Sequence, residues 1–122
     1  MTVRVVRLGS PRAKDEGLRL GTVRRPPRGV KKADTARCDY YDLWLPDLAP
    51  SAPLIARAQK DWAAFARAYR REMSRPAASR LLELLSRLSH QADFSVGCYC
   101  EDEARCHRSI LRQLLAEHDA RF

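Results

Sequence analysis

The segment from Asp93 to Cys100, DFSVGCYC, sets Phe94, Val96, Cys98 and Cys100 on one face at period two and Ser95, Gly97 and Tyr99 on the other. It is the strongest strand signal in the chain, and it comes late. Two helical patterns precede it. Asp61 caps a run in which Trp62, Phe65, Ala66, Tyr69 and Met73 recur at spacings of three and four, and Pro76 opens a second run carrying Leu81, Leu82, Leu84, Leu85 and Leu88. The other strand candidates lie near the start: Thr2 to Leu8, Leu18 to Val23, and a short extended piece from Tyr40 to Leu45. A late strand that rejoins early ones across a long helical connection pairs parallel, since antiparallel neighbours need only short turns. The expected fold is therefore α/β: a small, mostly parallel sheet packed with helices, in a single domain over residues 1–122.

In open α/β sheets, ligands collect beyond the carboxyl ends of the strands. That rule directs attention to the residues that follow the late strand, Gly97 to Ser109, GCYCEDEARCHRS. Cys106, followed by His107 and Arg108, falls at the expected start of the last helix, where unpaired backbone N–H groups and the positive dipole end favour a thiolate and hold anions. Cys100 and Glu101 end the strand, and Glu101 is placed to orient Arg108 or to serve as a base.

Charge points to the same edge. The net charge is +8, and five of those charges stand in RRPPRGVKK, where Arg24, Arg25, Arg28, Lys31 and Lys32 have no acidic residue among them. Pro26, Pro27 and Gly29 make this stretch an irregular loop. It leaves the carboxyl end of the second strand, so a parallel sheet brings it beside Cys106 and Arg108 and creates a pocket suited to phosphate.

No stretch approaches the roughly 18 apolar residues of a membrane span, and MTVRVVRLGS lacks the apolar block of a secretory signal, so a cytoplasmic protein with no membrane partner is expected. A reducing compartment makes the four cysteines candidates for metal binding, reactivity or packing rather than a disulfide framework. A zinc site would draw on Cys98, Cys100, Cys106 and distant Cys38, but one residue between Cys98 and Cys100 is not the usual zinc-knuckle spacing, and neighbouring Cys106 and His107 are awkward co-ligands. A transient disulfide would pair Cys100 with Cys106, as Cys98 with Cys100 is too strained in an extended strand. As plain packing, Cys98 and Cys38 read as buried core.

On the residues Cys100, Glu101, Cys106, His107 and Arg108, the chain resembles the domain-of-unknown-function 488 family, the YeaO-like proteins. TVRRPPRGVKK from Thr22, LWLPDLAPS from Leu43 and WAAFARAYRREM from Trp62 extend the similarity over nearly the whole chain. Cys98 and Cys38 fall outside the family motif. The resemblance assigns no reaction, and no glycine-rich loop for a methyl-donor cofactor is present.

The leading expectation is an enzyme-like domain that needs no cofactor and takes a phosphate-bearing ligand, a nucleotide or nucleic acid. Cys106, with Glu101 as the alternative, acts on the ligand beside Cys100. His107 trades protons, and Arg24, Arg25, Arg28, Lys31 and Arg108 hold the anion. A second reading is a non-catalytic nucleic-acid-binding module in which Tyr40 and Tyr41 stack on bases.

Overall fold

The computed structural model describes residues 1–58, 60–100 and 105–122. Four strands form one sheet in the order β1-β4-β2-β3: β1 (Val3–Arg7), β2 (Leu18–Gly21), β3 (Leu43–Trp44) and β4 (Phe94–Cys98). Every pairing is parallel, with β4 between β1 and β2. The late strand thus returns to the early ones across three helices, α1 (Ala52–Arg57), α2 (Trp62–Met73) and α3 (Pro76–Leu88), and α4 (His107–Glu117) follows.

Each helix begins where its sequence provides a start. Asp61 accepts a hydrogen bond from the Ala64 amide at 3.1 Å, a cap that contributes about 1 kcal/mol. Pro76 occupies the first turn of α3, where its missing N–H costs nothing. The apolar faces of these helices pack with one face of the sheet, joining Phe65, Tyr69, Leu82, Leu111 and Leu115 to Val3, Leu20, Phe94 and Val96.

The other face of the sheet is polar yet closed. Arg4, Ser95 and Arg19 share one register row across β1, β4 and β2. Arg19 has no exposed surface, and its guanidinium meets Glu16 through two bonds of 2.7 and 2.9 Å. Its remaining fork donates to the carbonyls of Ser10 and Asp39, while Ser95 donates to Glu16 at 2.8 Å. A buried arginine at a strand centre is thereby satisfied from both sides. This network had no counterpart in the strand pattern, which registered Leu18–Val23 only by its apolar residues.

The late strand is shorter than its alternation suggested. It stops at Cys98 because its neighbours stop: Arg7 pairs with Cys98 and Gly21 with Gly97, leaving no ladder for Tyr99 and Cys100. Cys100 is therefore exposed and off the core face, and Cys38, expected in the core, is exposed as well. Tyr41 is buried, which removes it as a base-stacking platform. Among the described residues, no helix is long and apolar enough to cross a membrane.

Glu16→Gln leaves the Arg19 charge buried without its counter-charge and should cost about 3–5 kcal/mol in urea unfolding. Burial pushes the Glu16 carboxyl up, but bonds from Arg19 and Ser95 and the Arg19 charge outweigh it and hold the carboxyl below its usual range. The resulting stability is present above the unfolded-state value, 4.5, and is lost as pH falls through the lowered folded-state value. Acid unfolding of Glu16→Gln should lack this component.

Candidate functional site

Three parallel strand ends and one helix start converge on a single edge. β1 delivers Arg7 and Leu8, β2 runs on through Thr22 to the basic loop, β4 ends at Cys98, and Cys106 caps α4. Between them lies a cleft of about 770 Å³ whose lining includes Arg7, Arg24, Arg25 and Arg28 together with Cys98, Cys100 and His107. Its apolar floor includes Leu8, Val23, Tyr40 and Ile55.

The arginines differ in their duties. Arg24 is half-buried and donates to the carbonyls of Pro50 and Ala49 at 3.1 and 2.9 Å, tying the basic loop to the turn before α1. Arg25 and Arg28 are exposed at the cleft wall, and the Arg25 carbonyl accepts a bond from the Tyr99 hydroxyl at 3.0 Å. Lys31 is exposed outside the cleft lining and precedes a short 3-10 turn, Lys32–Asp34.

Arg108 stands apart from the other arginines. It is buried, is absent from the cleft lining, and donates to the Cys100 carbonyl at 2.7 Å. One residue beyond His107 in the first turn of α4, it points back to the end of β4 and fixes the chain as it leaves the sheet.

His107 is buried against the ring of Tyr69, whose own hydroxyl donates to the Leu48 carbonyl at 2.6 Å. Nε2 of His107 lies 2.7 Å from the Thr22 carbonyl, which accepts only, so this nitrogen carries the proton. Nδ1 therefore presents its lone pair toward Cys106 Sγ, 3.9 Å away. Burial lowers the imidazole pKa to about 4; the Thr22 carbonyl opposes the shift and the Arg108 charge adds to it.

Cys106 is sealed, and its sulfur is in bonding contact with that of Cys98 rather than Cys100. The expected pairing of Cys100 with Cys106 is thus replaced by one between the strand end and the helix cap. Cys100 Sγ completes a cluster of three sulfurs, all within 4.8 Å of one another. Cys98, Cys100 and His107 line the cleft and Cys106, the expected nucleophile, does not, although Cys98 and Cys106 are equally buried. Glu101 lies outside the described residues.

The structure adds Arg7 to the cleft lining and Thr22 as the partner of His107, and it places Tyr40 in the same lining. Arg7 was legible in principle, as the charged residue at the carboxyl end of an early parallel strand. The Thr22 contact goes to a backbone carbonyl and leaves no side-chain signal.

A family model described as the active DUF488-N3 subclade matches residues 3–119. The chain belongs to the domain-of-unknown-function 488 family. The match covers both halves of the cleft, the basic loop and the Cys106-His107-Arg108 run. No curated protein and no solved structure matches this family member.

In reduced, metal-free protein, nitrogen NMR should find the His107 ring neutral at pH 5 with its proton on Nε2. Because the unfolded chain binds this proton near 6.5 and the folded one only near 4, stability should fall as pH drops between those values, by on the order of 3 kcal/mol. A His107 ring that is already charged at pH 6 would contradict the assignment.

Proposed function

We propose that this cleft binds a small phosphate-bearing ligand of the nucleotide class and that the sulfur and imidazole wall is the reacting side of an enzyme-like site. The observation that carries the reading is that Arg25 and Arg28 share one cleft lining with Cys100, His107 and several apolar residues. Arginine forks match phosphate oxygens bidentately, and a floor of Leu8, Val23, Tyr40 and Ile55 suits the flat, weakly polar body of a base. A volume of about 770 Å³ lies within the range of small-molecule sites.

Within this reading the cationic residues divide into two groups. Arg25 and Arg28 contact the phosphates, while Arg24 and Arg108 hold the loop and the strand end in place. Neutral His107 accepts a proton at Nδ1, and Cys100 is the sulfur that a bound ligand reaches first. A cytoplasmic, reducing setting keeps that thiol available. The alternative of a nucleic-acid-binding module is weaker, since Tyr41, expected to stack on bases, is buried.

Titration calorimetry with ADP tests the reading. Loss of charge-assisted bonds in Arg25→Ala/Arg28→Ala should weaken binding roughly 10- to 100-fold, while Arg80→Ala, on the exposed side of α3, should leave it unchanged. Equal affinity in the double variant and the parent, or no binding by the parent, would overturn it.

A further inference from the structure

We propose that Cys98, Cys100 and Cys106, with Nδ1 of His107, form a tetrahedral binding site for one zinc ion at the junction of β4 and α4. Spacing along the chain argued against zinc, but spacing describes ligands on a knuckle turn, and these residues come from two elements. Cys98 is the last residue of β4, Cys100 follows two residues on, and Cys106 is the cap of α4. The fold, not a local turn, brings their sulfurs to within 4.8 Å of one another.

In the structure the Cys98 and Cys106 sulfurs bond to each other, so an ion enters only the reduced cluster, in which they move apart. Zinc–sulfur bonds of about 2.3 Å and zinc–nitrogen bonds of about 2.1 Å place two sulfurs roughly 3.8 Å apart and a sulfur and a nitrogen roughly 3.6 Å apart at the tetrahedral angle. Cys106 Sγ and His107 Nδ1 are 3.9 Å apart, so their being neighbours in sequence is no obstacle to shared ligation. The Cα atoms of Cys98 and Cys106 stand 7.7 Å apart, wider than the roughly 4.4–6.8 Å that disulfides usually span, whereas an intervening ion lengthens the bridge.

An independent observation comes from the histidine. Metal-bound imidazoles nearly always donate their second ring N–H to a carbonyl or carboxylate, which fixes the tautomer and the ring plane. His107 has this arrangement: Nε2 donates to the Thr22 carbonyl at 2.7 Å, Tyr69 packs against the ring, and Nδ1 faces Cys106 Sγ. A histidine that served only to fill the core would not need its lone pair turned toward a cysteine sulfur. Loading releases the thiol protons to solvent and leaves three thiolates and a neutral imidazole on the ion. Arg108, bonded to the Cys100 carbonyl, and the arginines of the cleft lie beside the resulting negative charge.

The inference shares Cys100 and His107 with the proposed function, and with zinc bound Nδ1 is a ligand and no longer a proton acceptor; the two are tested separately, nucleotide binding by ADP affinity and this site by metal content. The full chain, reduced and chelator-treated, is titrated with Co(II). One equivalent should produce thiolate-to-metal charge-transfer absorption with tetrahedral ligand-field bands, and zinc should displace it. Native mass spectrometry of the same sample should show one zinc per chain. Cys38→Ser should keep the full signal, Cys100→Ser should lose intensity in the charge-transfer band, and His107→Ala should weaken affinity by at least roughly tenfold. Circular dichroism of each variant separates loss of a ligand from loss of the fold. A reduced, folded parent that takes up no metal, a Cys98–Cys106 disulfide that persists under reduction, or loss of the signal in Cys38→Ser would each overturn the proposal.

Discussion

Everything in this fold hangs on one buried parallel strand. All five residues of β4 are buried, and its ladder to β1 on one side and β2 on the other is the only means by which the two early strands join one sheet. A strand in that position must satisfy both faces. On one face Phe94 and Val96 enter the helical core; on the other Ser95 closes onto the Glu16–Arg19 pair. Gly97 shows how closely the strands approach: a Cβ there would stand 2.6 Å from the Val6 carbonyl oxygen. Because all the strands point the same way, their carboxyl ends open on one edge, and the cleft is a consequence of that direction.

Much of this was readable from the chain. Period-two alternation in Phe94, Val96 and Cys98, a late position and two intervening helices suffice to require a parallel return, and parallelism carries the basic loop to the same edge as the cysteines. Asp61 and Pro76 marked helix starts accurately because capping is a local matter. What escaped was non-local. Arg19 looks like an ordinary strand interruption until Glu16, Ser10 and Asp39 are folded around it. Cys100 follows the alternation of β4, yet the ladder ends two residues earlier because β1 and β2 have already ended. Arg108 looks like a phosphate ligand by charge and position; in the fold it is buried, and its Nη2 donates to the Cys100 carbonyl.

The site then divides by distance from solvent. Outermost are Arg25 and Arg28 with the Cys100 thiol; His107 lies behind them, and Cys98 and Cys106 are sealed at the back. A desolvated imidazole stays neutral and keeps its lone pair toward sulfur. Cations at the mouth and soft donors at the back make a site that attracts an anion and confronts it with sulfur and nitrogen, a pairing common to thiol and metal chemistry alike.

Site-resolved alkylation of the reduced, metal-free, folded chain measures this layering directly. Iodoacetamide should label Cys38 and Cys100 quickly and leave Cys98 and Cys106 protected until the chain unfolds, and saturating ADP should slow Cys100 while leaving Cys38 unchanged. Labelling of Cys106 as fast as Cys38, or a Cys100 rate indifferent to ADP, would contradict a sulfur cluster layered behind an arginine-lined cleft.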